Sequence, residues 1–598
     1  MRRRLSVLVP AVALVLCCLP ASAFAHAQLE GTSPGRDAVA KTQPGVVSFR
    51  FDETVEGNFG AVRVYNSAGQ RVDAGDAFHP GGKGPVMGVH LKPHLPAGTY
   101  TATYRVVSAD GHIVSSGFAF SIGHPGAAGK SVESLLSGTK VGKGTDVVYG
   151  IARGLQYAAI ALAVGAVTFL LLVWLRALAA VAGAEPEWER ASTAFARRWS
   201  RLLLGASLLG MVSAAAGVVL EAASAAGISG WSALKWKVVH EELGTRFGTV
   251  WGLAVVAWAV SAVIAALIAA PSRERSPALR PAELGATGLA LAPRRTLGFL
   301  GLLAVPLVFV TLLPALAGHA STQHPVALVF PLNVLHVLAM SVWVGGLAAL
   351  LLALPAATRA LQPRDRTRML AATLERFSPL ALISVCVILA TGLVQAYVWV
   401  RTPAHLLDTA YGRAVLIKFL LLLVLIALGA FNRRRSVPEL SRLAAAGDTP
   451  GRAGVLLRRA LRTEIAVIVV VLGVTAALSS YAPSIDAASG PANLSGRIGP
   501  AQLEMTVDPA RVGANQIHLY LLNPKDGSQF TGAKEVDVEA MMPSKGIGPL
   551  DQTATKAGPG HYIDSSAVLG VPGKWHLTVT VRTSEFDQFT KMFEVHVR

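Results

Sequence analysis

Eight long apolar stretches constrain this chain more than any other feature. They lie near residues 148–175, 200–221, 249–270, 297–317, 327–354, 378–400, 412–431 and 463–482. Each is long enough to cross a hydrocarbon layer of roughly 30 Å. In that layer a helix satisfies its own backbone, whereas an isolated open strand does not. The expectation is an eight-helix transmembrane domain, 148–482, within a chain of 598 residues. A composition of 52% hydrophobic and 15% charged residues agrees with it.

The connecting segments alternate in charge. Segments 176–201, 272–295, 356–376 and 433–462 carry 5, 5, 5 and 8 lysines plus arginines, whereas 222–248, 318–325 and 401–413 carry 3, 0 and 2. The positive-inside rule assigns the first set to the cytoplasm. An even number of spans then puts both soluble ends outside a plasma membrane. Much of the net charge of +18 is thus an orientation signal, and no nucleic-acid partner is expected. The expected partner of the middle segment is the lipid bilayer.

Residues 1–25, MRRRLSVLVPAVALVLCCLPASAFA, combine arginines, an apolar run and a small-x-small ending. This is the pattern of a secretory signal peptide. Cleavage after Ala25 leaves His26 as the first mature residue. A free terminal amine titrates at about 7.7–8.0 in simple peptides, so a metal can displace its proton near neutral pH. Together with the imidazole it forms a two-nitrogen chelate. The alternative is a histidine there by chance. Cys17 and Cys18 belong to the leader, which leaves Cys386 alone in an apolar run. The mature chain therefore has neither an internal disulfide nor a thiolate metal cluster.

Residues 26–123 alternate in short runs: VVSFRFDE, AVRVYNS, YTATYRVVS and IVSSGFAFSIG, with NSAG and PAG as turns. They imply a small β-sandwich of immunoglobulin-like or Greek-key type. Asp110 and His112 are two apart, so on an extended segment they share a face. Alone, DGH is a polar turn. With the His26 amine and imidazole it completes a mixed nitrogen and oxygen set suited to Cu(II). The stretches HAQLEGTSP, FRFDETVE and LPAGTYTATYRVVSADGHIVSSGFAFSIG resemble the CopC family of periplasmic copper-binding proteins. The resemblance implies a Cu(II) site at His26, Asp110 and His112. Some members also carry a methionine-rich Cu(I) site, but Met87 is the only methionine here. His79, His90 and His94 are expected to be solvated. Residues 124–147, rich in Gly, Ser and Lys, are expected to form a flexible tether.

Within the spans, His319 and His324 fall in a short outer loop and His336 lies well inside the fifth span. An ionisable side chain at that depth is by default functional, and neutral imidazole is a common copper ligand. The alternative for His336 is a hydrogen bond to a neighbouring helix; for the loop histidines it is simple exposure. Trp343 follows, an aromatic beside Gly345 and Gly346, small residues that let helices approach closely. The stretches GHA, NVLHVLAMSVWVGGL, RFSPLAL, TGLVQAY, YGRAVLIKFLLL, FNRRR and LRTEIAV resemble the CopD family of copper-resistance membrane proteins, which is also known fused to CopC. That implies copper movement across the membrane, with His319 and His336 carried over as pathway residues and His324 beside them. Glu221 and His240 are expected at the interface or in solvent. The chain has no GxxxxGK[ST] loop and no intramembrane CxxC or CPC, so an ATP-driven pump is excluded and no enzymatic activity is expected. The membrane potential, worth about 2.3 kcal/mol per charge per 100 mV, favours inward movement of copper.

Residues 486–598 alternate again, in QIHLYLLNP, KEVDVEAMMP, GKWHLTVTVR and KMFEVHVR. A second extracytoplasmic β-sandwich is expected, loosely similar to YtkA-like domains. GPGHYIDSS suggests a turn leading into an edge strand, with Met541 and Met542 in the core and His561 at the surface. The alternative is that these three form a soft Cu(I) site. The leading reading is a multidomain membrane protein whose outer domain captures copper for a histidine-lined membrane domain. Two alternatives remain: a haem-binding membrane redox protein, since paired intramembrane histidines ligate haem, and a non-transporting copper chaperone or sensor serving an outer cuproenzyme.

Overall fold

The computed structural model describes residues 27–597 apart from 28, 37, 58–59, 110, 112, 127–131, 138–142, 271–293, 323–324, 480, 482–491, 509 and 525–527. The chain divides into two units, one holding most of the apolar helices and the other both β-rich regions.

The amino-terminal region is a sandwich of two sheets. One has the order β1 (Leu29–Ser33), β3 (Val46–Phe51), β5 (Val86–His90). The other runs β2 (Val39–Ala40), β7 (Ile113–Ile122), β6 (Gly98–Val107), β4 (Val62–Asn66). Alternation along the strands turns Phe49, Phe51, Tyr104, Phe118 and Phe120 into one core. Phe49 and Phe51 meet the Tyr104 ring at centroid distances of 4.9 and 5.1 Å. Four strands coincide with the sequence reading. The other three are short or, like β5 with Gly88, interrupted, which hides their period. Met87 is fully buried in this core. His79 Nδ1 donates to Val86 O at 2.8 Å, and His90, half exposed, pairs with Asp76 at 2.7 Å. The expected tether is not wholly unstructured. It contains the helix Val132–Ser137, whose Val132 and Leu136, one helical turn apart, are buried and which packs on β6 and β7.

Among the described residues eight helices are long and apolar enough to cross a membrane: α1 Gly144–Val181, α2 Pro186–Ala226, α3 Arg246–Ala269, α4 Gly298–Leu316, α5 Val326–Thr358, α6 Pro363–Val400, α7 Ala410–Ala446 and α8 Gly451–Leu478. All eight expected apolar segments are helical. Several helices run well past them, because amphipathic turns continue the helix beyond its apolar portion. Helix α8 ends at Leu478, four residues short of the apolar-run estimate. Close packing rests on glycines. A methyl at Gly165 in α1 would lie 2.4 Å from Gly345 Cα and 2.3 Å from Ser341 O. A methyl at Gly346 would lie 2.2 Å from the Phe377 ring on α6. Trp343 is buried.

The carboxyl-terminal region also has two sheets. One runs β13 (Thr555–Gly558), β14 (His561–Leu569), β10 (Gly513–Leu522), β9 (Ala501–Asp508), β8 (Ala492–Ile498). The other runs β12 (Ile547–Thr553), β11 (Glu535–Met542), β15 (Gly573–Arg582), β16 (Gln588–Val597). Leu503, Leu519, Val538, Trp575 and Val579 join their inner faces. Two expectations are corrected here. Strand β14 is interior, because the short β13 folds back over its outer side. His561 is buried, 4% exposed, and it lies on a different sheet from Met541 and Met542, so the three do not form a cluster. Met542 is in the core as expected, whereas Met541 is half-buried.

Candidate functional site

The membrane helices carry a ladder of polar side chains along one face of α6. Thr391, Gln395 and Trp399 are spaced by four, so they stack on that face. Helix α5 faces them with Asn333 and His336, one turn apart. His336 is ten residues past the start of α5, about 15 Å along its axis. His336 Nδ1 lies 2.8 Å from Thr391 Oγ1. Asn333 Nδ2 donates to Gln395 Oε1 at 3.2 Å, and Gln395 Nε2 donates to Thr391 O at 3.1 Å.

The threonine decides the tautomer of the histidine. A hydroxyl has one proton, and Thr391 Oγ1 gives it to Val387 O at 2.7 Å. Its oxygen therefore accepts from His336 Nδ1–H, which leaves Nε2 with its lone pair. That is the usual preparation of a metal-ligating imidazole: the second ring nitrogen is held by an outer partner. Gly392 leaves room beside the ring, since a methyl there would stand 3.5 Å from His336 Cε1. Asn333 Oδ1 is buried and has no hydrogen-bond partner among the described residues. Lys418 of α7 is near enough for its charge to act on His336.

His319 sits in the turn His319–Ser321 after α4. Its ring meets Trp399 edge-on, 6.1 Å between centroids and 66° between planes. Trp399 and Thr391 are eight residues apart, about 12 Å along the helix. His319 and His336 thus occupy two levels of the ladder, not one coordination sphere, and they do not form the facing pair that a haem would need. His405, passed over in the sequence, joins the outer level. It lies on the short helix Pro403–Asp408, and its Nδ1 donates to Val400 O at 3.0 Å. A carbonyl only accepts, so here too Nε2 keeps its lone pair. The available signal was a histidine in the lysine-free segment 401–413. His240 is exposed beside Trp236, whereas Glu221 is 2% exposed and so is not solvated as expected. His324 lies outside the described residues.

At the other end of the bundle three quoted motifs converge. Asn432 of FNRRR donates to the buried carboxylate of Glu464 in LRTEIAV. Arg433 donates to Ser378 of RFSPLAL at 2.7 Å. Ser436 donates to Asn432 Oδ1 at 3.2 Å. Among the described residues no three His, Cys, Asp or Glu side chains converge as a metal cage.

In the amino-terminal sandwich His26, Asp110 and His112 lie outside the described residues, but their neighbours are described. Leu29 pairs with Phe51, so the start of β1 is fixed at the end of β3. Two residues on, Glu53 Oε1 accepts from Ala109 N at 3.2 Å. Gly111 N donates to Ser108 O at 2.9 Å, with Gly111 at φ +88°. A turn therefore closes from Ser108 to Gly111. Gly111 sits where only glycine is unstrained.

These arrangements can be set against known proteins. Copper transport protein CutJ of Bacillus subtilis (strain 168) is 30% identical to this chain over 586 residues, 97% of each. The chain belongs to the fused CopC–CopD family of copper proteins. Family models for the CopC domain match residues 29–123. Those for the copper resistance protein D-like amino-terminal domain and for copper resistance protein D match 144–293 and 371–478. Protein YobA of Escherichia coli (strain K12) is 29% identical over 101 residues, 17% of this chain and 82% of its own. The crystal structure of CopC from Methylosinus trichosporium OB3b is 31% identical, covers 17% of this chain and 95% of its own, and has a TM-score of 0.15. In this CopC–CopD chain the polar ladder runs through α5 and α6, and α6 lies largely within the copper resistance protein D match.

Proposed function

We propose that this CopC–CopD protein takes up copper across the cytoplasmic membrane. The observation that carries the proposal is the His336–Thr391 bond, which leaves a part-buried imidazole about 15 Å along α5 with its Nε2 lone pair available. Copper is captured outside as Cu(II) by the His26 amine and imidazole, Asp110 and His112. The Leu29–Phe51 pairing and the Ala109–Glu53 bond support this, because both tie the flanks of those residues to one corner of the sandwich. The ion then passes imidazoles at the outer level, His319 with His324 and His405, before reaching His336. Few-ligand stations suit a moving ion, since a full cage would hold it. The arginine-rich segments support an orientation with both sandwiches outside. The domains of the proposal are 1–25 leader, 26–123 capture, 124–147 connection, 148–482 membrane passage and 486–598 outer sandwich.

Copper flux into vesicles containing the reconstituted protein tests this. His336→Ala is expected to abolish uptake while leaving Cu(II) capture intact. Equal fluxes for the two proteins would remove His336 from the pathway. No uptake by either would leave the outer domain as a copper-holding module.

A further inference from the structure

The carboxyl-terminal sandwich buries two imidazoles against each other. His518 and His561 come from neighbouring strands, β10 and β14, and each is 4% exposed. His518 Nδ1 and His561 Nε2 are 3.3 Å apart. The rings are nearly parallel, at 18° with centroids 5.5 Å apart. Tyr520, two residues along β10, stacks on His561 at 4.3 Å and 5°. These side chains alternate with Ile517, Leu519 and Leu521, which fill the core. They therefore project from the opposite face of the sheet, where polar residues usually meet water. There Arg36 of the amino-terminal sandwich pairs with Asp508 and acts electrostatically on His518.

We propose that His518 and His561 form a copper(I) site in the carboxyl-terminal domain. Two nitrogens 3.3 Å apart share one ion at 2.0–2.1 Å bonds once the rings turn off their common line, so that both lone pairs meet the metal at about 110°. A zinc ion would call for four ligands in a closed site, and no third His, Cys, Asp or Glu joins the pair among the described residues. A monovalent copper ion is satisfied by few ligands, and the bent angle leaves a position for a third, exchangeable one. Burial holds His518 at about 3, helped by His561 and by the Arg36 charge, and burial holds His561 at about 4. Both rings are therefore neutral donors near neutral pH. Without metal one ring donates N–H to the other. On binding, the ion replaces that proton, which moves to the other nitrogen of the same ring, so the pair stays neutral and no electron is transferred. The choice of copper rests on the proposed function; the two-nitrogen geometry does not.

The test uses the full chain in detergent, with His26→Ala and His336→Ala to remove the proposed capture and membrane ligands. Copper(I) is supplied anaerobically with ascorbate. This background is expected to retain one tightly held copper per chain, and X-ray absorption should show two imidazole nitrogens at 2.0–2.1 Å. Adding His518→Gln or His561→Gln should remove that copper, with the metal-free melting temperature checked for each. Should either variant melt early, the absorption spectrum of the background protein decides alone. Equal copper in background and variants, or a spectrum without imidazole scattering, overturns the site. A change in copper content between wild type and background reports on the uptake reading separately.

Discussion

His336 Nδ1 and Thr391 Oγ1 are 2.8 Å apart across two membrane helices, and the threonine proton is already committed to Val387 O. The histidine must donate, so its orientation and tautomer follow from a residue on another helix. Thr391→Val keeps the shape and removes the acceptor. Copper uptake is expected to fall by about 10–100-fold, the usual effect of losing an outer-shell partner. Thr391→Ser restores the oxygen and should restore most of the flux. Equal uptake by the valine variant would show that the bond does not orient the ligand.

Gly392 offers a steric test of the same ring. A methyl at this position would rest 3.5 Å from His336 Cε1, an ordinary contact. Gly392→Ala should therefore transport normally, whereas Gly392→Leu should press on the imidazole and lose uptake while the folded protein is still recovered in detergent. Equal loss for both substitutions would point to a backbone effect in α6.

Gly165 and Gly345 bring α1 and α5 into backbone contact. A methyl on Gly345 would lie 2.2 Å from Ala161 O and 2.6 Å from Gly165 Cα. Neither is the end of a flexible side chain, so the helices themselves must separate. Gly345→Ala is expected to destabilise the membrane domain by about 1–3 kcal/mol, the typical penalty of overpacking. Thermal unfolding in detergent reads this directly. An unchanged midpoint would mean that the helices separate freely at this crossing.

How much of this was legible in the sequence depends on the range of the interaction concerned. The apolar cores of the eight spans were legible because hydropathy is a local sum, and the glycines beside Trp343 announced a close helix contact. The helix extensions beyond the apolar runs were not, since amphipathic turns do not announce themselves by hydropathy. The depth of His336 was legible, whereas its partner Thr391 is 55 residues away and no local pattern links the two. His561 shows the same limit. Its surroundings were read from nearby methionines, but a strand pairs with whatever the topology brings beside it, here His518 at a separation of 43. The edge-strand reading of β14 failed because β13 is only four residues long and carries little alternation to detect.

The proposed Cu(II) site gives the last prediction. Leu29 is held against Phe51, and Ala109 N is held by Glu53. Leu29 and Ala109, which flank the proposed ligands in sequence, are thus anchored two residues apart on the chain, at Phe51 and Glu53. Extending the mature chain by one glycine before His26 keeps every side chain but moves the free amine off the histidine. High-affinity Cu(II) binding by the full protein should be lost in a competitive titration. Glu53→Ala should weaken it by roughly tenfold, within the range for an outer-shell contact, because the turn loses one of its tethers. Glu53→Gln keeps an acceptor oxygen for Ala109 N and should bind nearly as the parent does. If the glycine-extended protein binds Cu(II) as tightly as the parent, the terminal amine is not a ligand, and any site at this corner uses side chains alone.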